Sequence, residues 1–497
     1  MTMTQAVERL YRIQRELQAY RNVRGLLYHD ASTAAPGKSA ASRGQTLAVM
    51  EQASARILCS GECRELLAYL TPRAEELPRR ERRMVQLMDR ERRWRDAVPE
   101  EEYLSFQKLL AVSFEIWAHA KEADDFSMLE PFLEQVFAAC RRISAWAAPD
   151  RPPLDVWLDR YEAGLTVERC DRFFDVLRTG LVPLLKRISA AEPEGPEAEY
   201  PLEAQRLLSH RIMDLMGIDR NHCALSESAH PGTTGLTKYD VRITTRYQKN
   251  QFAPGLFMVM HEGGHALYEL HTADEDAFTC LGAFASMAVH ESQSRFYENL
   301  VGHSRPFLTF LAPVLQEYFP QQLGGMDEEQ IYRSVNCVRK TPIRMEADEL
   351  TYPLHIMIRH EIEKRIFSGE LRVKELPQAW NDLYREYLGV EVRSDREGVL
   401  QDCHWAYGSI GYFPSYALGN AYGAQLMQAM KREIDVDRCL REGDLVPVNG
   451  WLEEKIWRHG ARYEPEQLLE SAWGGTFDPG VYLRYLEQKY LNLSCAQ

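Results

Sequence analysis

No stretch of this 497-residue chain approaches about 18 uninterrupted apolar residues, so no segment reads as a membrane-spanning helix. The opening Met1-Thr2-Met3-Thr4-Gln5 lacks a charged region followed by an apolar core, and no secretory leader is expected. Cysteines number ten and stand singly. Cys59 and Cys63 are the closest pair and no CxxC occurs, which argues against cysteine-zinc and disulfide frameworks. Free thiols in a reducing cytoplasm are the expectation. Positive charge is in deficit: the formal net charge is −14, which argues against nucleic acid or an anionic membrane as the main partner. Internal repeats and low-complexity tracts are missing as well. A chain of this length, with an ordinary soluble composition, has ample material for a large core and two or three lobes.

Convincing strands are also scarce. Residues 4–20 carry Val7, Leu10, Ile13 and Leu17 at helical spacing, with a break expected at Gly25. Helical text resumes over about 38–58, then 62–147 with turns near Pro72 and Pro99, and again over 167–190. A proline-rich link runs from Pro149 to Pro153, and Glu192 to Pro201 reads as an acidic loop. Only His222–Ser228 and Asp240–Tyr247 alternate with β-branched residues, and they read as a short hairpin. Such a strand edge would suit an extended peptide held by backbone hydrogen bonds. Further on, Pro342 is placed to open a helix. Leu354, Ile358, Ile362 and Ile366 form a core stripe that Ser368-Gly369 ends.

Histidine is sparse, 14 residues in all, yet two of them stand four apart in His261-Glu262-Gly263-Gly264-His265. Residues four apart share one helix face, so two imidazoles can converge on one ion. Glu262 lies about 100° round the helix and points beside such an ion, where a base taking a proton from water would stand. The two glycines disfavour a plain helix and suggest close approach of something to the backbone. A third ligand is needed. Glu269, roughly 12 Å along the same helix from His261, is too far to serve. Glu291, in Val289-His290-Glu291-Ser292, is the best candidate after a loop and a return segment, with His290 as its rival. The stretch Gly408 to Tyr416 is rich in Gly and Tyr and reads as a loop with polar aromatic tips lining a cleft.

Six blocks in order make the chain resemble the carboxypeptidase Taq family, the M32 metallocarboxypeptidases. They are His230-Pro231, Asp240-x-Arg242-x-Thr244, His261-Glu262-x-x-His265, His290-Glu291-Ser292-Gln293, Ile343-Arg344-x-x-Ala347-Asp348, and Gly398-x-x-Gln401-Asp402-x-His404-Trp405. The chain departs from the pattern at Gly232, where Phe is expected, at His29 for Trp, and at Ala35 for Met. The resemblance implies a mainly α HExxH metallopeptidase fold with a deep groove and a small antiparallel sheet beside the metal helix. It implies one peptidase domain over 1–497, with an N-terminal helical lobe or lid over 1–200 and a catalytic lobe over 201–497. It also implies one divalent ion per chain, a homodimer, and stepwise release of C-terminal residues from peptides with broad specificity, proline excepted.

On this reading zinc, or cobalt, is held by His261, His265 and Glu291, and Glu262 is the base. His404 with Tyr416 or Tyr412 are candidate donors to the oxyanion. Asp348 or Asp240 is a candidate to orient a ligand histidine. Arg344 is the candidate receptor for the substrate's terminal carboxylate, the alternative being a structural ion pair. Arg242 and His230 are the other substrate-binding candidates. Two rival functions stand beside this one: an oligoendopeptidase on the same fold, and a peptide-binding protein with a vestigial metal site.

Overall fold

A computed structural model describes residues 1–188 and 198–495. The expected acidic loop from Glu192 lies, as far as residue 197, outside the described residues. The fold is mainly α, about 70% helical, with one three-stranded sheet. No described helix is long and apolar enough to cross a membrane. The chain divides into two compact units, each assembled from three separate segments. One holds Met1–Asp96, Glu194–Val335 and Leu426–Thr476, and the other Ala97–Pro193, Asn336–Gln425 and Phe477–Gln497.

The first unit opens with a helix over Met3–Thr33, started by a capping box at Thr2 and Gln5. It runs straight through Gly25, where a break was expected. The glycine serves packing instead: a Cβ there would lie 2.9 Å from Leu236 of the sheet. Ala6, Leu10 and Ile13 on this helix are buried with Leu66, Leu67, Leu70, Met84 and Met88 in one apolar cluster.

The sheet consists of β1 (Cys223–Glu227), β2 (Thr233–Thr237) and β3 (Asp240–Thr245) in the order β1-β3-β2. This corrects two expectations. The two strands read from sequence are neighbours but parallel, with Ser226 opposite Thr244. The sheet is therefore mixed, and the hairpin is made by β2 and β3, with Thr233 opposite Ile243. β2 reads Thr-Thr-Gly-Leu-Thr, with one buried apolar side chain, so its alternation is too faint to mark a strand. β3 leads by a short connection into the His-Glu-Gly-Gly-His helix, Ala253–Leu270, which packs on it.

In the second unit the helix Tyr352–Ser368 is central. Leu354, Ile358, Ile362 and Ile366 are all buried, as their spacing implies. Gly369, at φ +83°, ends it in the left-handed conformation that glycine adopts without a Cβ penalty. Its start corrects another expectation. Pro353, not Pro342, occupies the first turn, and Arg344–Glu346 forms a separate 3-10 turn. Asp348 accounts for the offset: its carboxylate accepts from the backbone N–H groups of Leu350 and Thr351 and so fixes the entry to the helix.

Candidate metal centre and polar networks

The helix Ala253–Leu270 is buried on nearly every side, so its imidazoles are held by surrounding packing. A second helix, Met287–Arg295, starts at a Ser286 cap and carries Glu291. The second glycine of the motif brings the two together. A Cβ on Gly264 would stand 2.3 Å from the Gln293 carbonyl oxygen and 2.8 Å from the Ser294 Cα. Only a bare backbone allows that approach. Gly263 faces the flexible end of Met216 at 2.8 Å. The close approach inferred from the two glycines is thus a helix-to-helix contact.

With the helices so close, His261, His265 and Glu291 converge, their ligand atoms all within 4.8 Å of one another. Glu291 Oε2 stands 3.4 Å from His265 Nε2 and 3.9 Å from His261 Nε2. Two imidazole nitrogens and one carboxylate oxygen form a donor set that suits a divalent ion with a position left for water or substrate. The remaining donors turn outward. Glu291 Oε1 accepts from Arg295 Nε at 2.7 Å. His261 Nδ1 meets Glu298 Oε2 at 2.8 Å, and Arg295 Nη1 donates to the same oxygen at 2.9 Å. A carboxylate on the second nitrogen fixes the ring's tautomer and leaves Nε2 free to ligate. The Glu291 carboxyl is held below its usual range: burial would raise it, and Arg295 and His261 outweigh burial.

Glu262 is buried, and its Oε2 accepts from Thr233 Oγ1 at 2.6 Å. The same hydroxyl lies 3.1 Å from the Glu262 carbonyl oxygen. β2 therefore aims the carboxylate. The rival ligand His290 is engaged elsewhere: Nε2 pairs with Glu269 at 3.3 Å, and the ring stacks on His265 at 4.1 Å. Arg242 sits on β3 in a bidentate pair with Asp240, both bonds 2.9 Å. His230 is exposed in the β1–β2 connection, where its carbonyl accepts from Ser228 Oγ. Among the described residues, neither Asp240 nor Asp348 is hydrogen-bonded to His261 or His265. The first is paired with Arg242, the second caps the 352–368 helix, and the carboxylate that meets His261 is that of Glu298.

The second unit holds its own buried network. Asp402 accepts from Arg344 and Arg359, with closest contacts of 2.7 and 2.6 Å. All three guanidinium nitrogens of Arg344 are engaged, two by Asp402 and the third by the Tyr352 hydroxyl at 3.0 Å. That is the ion-pair alternative in geometric form. His404 is 3.2 Å from the Tyr416 hydroxyl. Burial first of all lowers its pKa to about 3, so the imidazole is neutral at pH 7. Tyr412 stacks on His404 at 5.8 Å and meets the Tyr416 ring edge-on at 5.0 Å. Glu363 clamps this loop: one oxygen accepts from Trp405 Nε1 at 2.8 Å and the other from the Gly411 N–H at 3.1 Å.

The sequence profile described as carboxypeptidase Taq (M32) metallopeptidase matches residues 9–490. The chain belongs to that family. Carboxypeptidase 1 of Bacillus subtilis (strain 168) is 37% identical over 484 residues, covering 96% of this chain and 97% of the relative. Thermostable carboxypeptidase 1 of Pyrococcus furiosus is 38% identical over 426 residues, or 84% and 85% of the two chains. Among solved structures, the M32 carboxypeptidase from Deinococcus radiodurans R1 superposes with a TM-score of 0.96 at 33% identity, covering 99% and 100%. This M32 protein is accordingly a hydrolase that acts as a carboxypeptidase and depends on a metal ion.

Four site residues escaped sequence reasoning. Arg295 had a signal, since it stands four after Glu291 where a helical ion pair forms. Glu298 lies in a π-helical turn, Phe296–Gly302, which rotates it off the face that α-helical spacing would give. Thr233 and Glu363 act through contacts 29 and 48 residues away in sequence, and nothing local marks them.

Proposed function

We propose that this M32 enzyme is zinc-dependent and removes single residues from the C-termini of peptides, with broad tolerance for the terminal residue and exclusion of proline. The observation that carries the reading is the two-histidine, one-glutamate donor set beside a buried, tethered Glu262. Bound there, zinc would supply Lewis acidity toward the scissile carbonyl and would acidify water, with cobalt able to substitute. Glu262, aimed by Thr233, takes the proton of the attacking water and returns it to the leaving amine. Glu298 and Arg295 hold His261 and Glu291 in their ligating orientation. Neutral His404, with Tyr416 and Tyr412, is assigned to hydrogen bonding with substrate. We further propose a homodimer working in the cytoplasm.

Digestion of a defined peptide, followed by mass spectrometry and paired with metal analysis, tests this. A ladder of C-terminally shortened peptides plus free amino acids is expected, stopping before proline, with one zinc per chain. Internal fragments would make the enzyme an oligoendopeptidase, and absence of turnover with metal bound would make it a peptide-binding protein. The carboxylate receptor is tested separately with free-acid and amidated peptides. Arg242→Ala and Arg344→Ala are compared with wild type, and the receptor is the arginine whose loss removes the preference for the acid. Loss of one partner of such a pair costs about 2–5 kcal/mol, or roughly 30-fold to several-thousand-fold in kcat/KM. If both variants weaken acid and amide substrates equally, neither arginine receives the chain end.

A further inference from the structure

The first unit contains a cavity of about 430 Å³ whose walls bear five guanidiniums, those of Arg79, Arg82, Arg83, Arg90 and Arg462. Glu464 is the one carboxylate on the wall, and Arg83 takes it. Leu87 is the one apolar residue there. This concentration of positive charge stands in a chain of net charge −14. It is also placed at the wrong end of a helix. The 19-residue helix Arg79–Ala97 begins Arg-Arg-Glu-Arg-Arg, so four cations crowd the end where the helix dipole is already positive. Cations there are disfavoured and anions are favoured.

The partners within the protein satisfy these cations unevenly. Arg462 is held by Glu275 and Asp276. Arg82 pairs with Glu75, whose side chain is 87% exposed, and such a solvated pair contributes little. The Arg82 Nε is buried and has no hydrogen-bond partner among the described residues. Arg79 lies 4.1 Å over the Tyr463 ring and meets no carboxylate among the described residues. Stacking fixes its plane and leaves its N–H edge available to an oxyanion.

We propose that this cavity binds a small, multiply charged phosphorylated anion. Planar guanidiniums meet phosphoryl oxygens in bidentate fashion; the N–H edge of Arg79 and the unpartnered Nε of Arg82 are the donors left for them, and the charges of Arg83, Arg90 and Arg462 in the same cavity favour a ligand with more than one phosphoryl group. The volume lies within the usual range for small-ligand sites, and the lining side chains, five arginines, two glutamines, one glutamate and one leucine, favour a charged ligand over a greasy one.

Isothermal titration of the metal-loaded enzyme tests the site, with fructose 1,6-bisphosphate as probe, inorganic phosphate as the single-phosphate arm and fructose as the neutral arm, at constant ionic strength. Three variants are compared: Arg79→Gln, the double variant Arg79→Ala/Arg82→Ala, and Arg93→Ala, an exposed arginine on the same helix. One bisphosphate per chain should bind wild type and Arg93→Ala alike. Its Kd should rise roughly tenfold or more in the double variant, measurably in Arg79→Gln, and inorganic phosphate should bind more weakly. Peptidase activity without probe should be unchanged in all three. Equal affinity in wild type and double variant would place the probe elsewhere, the metal centre included, and overturn the proposal. Equal binding of phosphate and bisphosphate would reduce the cavity to a nonspecific ion site and overturn it too. So would absence of saturable heat at millimolar probe, whether or not the double variant alters self-association.

Discussion

Glu262 stands between the two histidines of the motif and Glu298 is hydrogen-bonded to one of them, and their loss should be felt differently. Glu262 is tethered to Thr233 and stands outside the cluster of His261, His265 and Glu291. Glu262→Gln should keep a full complement of metal while kcat falls about 10²–10⁴-fold, the range for losing a general base. Metal analysis of the purified variant beside its turnover decides this, and loss of metal would make Glu262 a ligand. Glu298 acts on His261 Nδ1. Glu298→Ala should weaken metal affinity about 10–100-fold, and competition with a chelator of known affinity measures it. Unchanged affinity would mean that Arg295 and packing suffice to hold the ring. Glu363 is a buried carboxyl of another kind. Burial pushes it up to about 8, against the pull of Trp405 and the Gly411 N–H. A carboxyl raised on folding stabilises fully below its unfolded pKa, about 4.3, and that contribution is lost as pH rises through about 8. The advantage in Tm of wild type over Glu363→Gln should therefore be larger at pH 6 than at pH 9. An advantage that is constant or grows with pH would show that the group is ionised throughout.

Between elements, the decisive contact is that of the Ala253–Leu270 helix with Met287–Arg295. Gly264→Ala would drive a methyl into the Gln293 carbonyl at 2.3 Å, where rigid backbone cannot yield. The helices must separate, and Glu291, two residues before Gln293, moves with them. We expect about 1–3 kcal/mol of destabilisation and a loss of metal affinity together. Gly263→Ala meets the terminal methyl of Met216, which can rotate away, so it should be tolerated. Thermal melts with and without added metal compare the two. Wild-type metal affinity in Gly264→Ala would mean that the helix spacing does not set the site. Sequence reading did well where periodicity is local: the stripe Leu354 to Ile366 and its Gly369 stop are as expected. It failed at β2, at Gly25 and at Pro342, where a partner distant in sequence or a neighbouring cap decides the outcome.

For the whole molecule, the proposal of a homodimer makes a direct prediction. Sedimentation at micromolar concentration should give a particle of twice 57.4 kDa. A single species of 57.4 kDa would sink it. Neither compact unit is one continuous stretch of chain, and their boundaries do not follow a division at residue 200. Such an arrangement depends on contacts between distant segments, which hydropathy cannot report.

Taken alone, the order of residues determined the helical class, the one-face spacing of His261 and His265, the motif glycines as sites of close approach, and Glu291 rather than His290 as the residue that converges with the two histidines. Each follows from local geometry or from short blocks matched in order, and a helix of known pitch converts spacing into direction. Only the tertiary structure decided that Glu298 holds His261, that Thr233 aims Glu262, that Arg344 is paired with Asp402, and that the sheet is mixed. These depend on which distant side chains meet once the core has closed. A hydrogen bond or ion pair is specified by position in space to within a fraction of an ångström, and chain order carries no such distance.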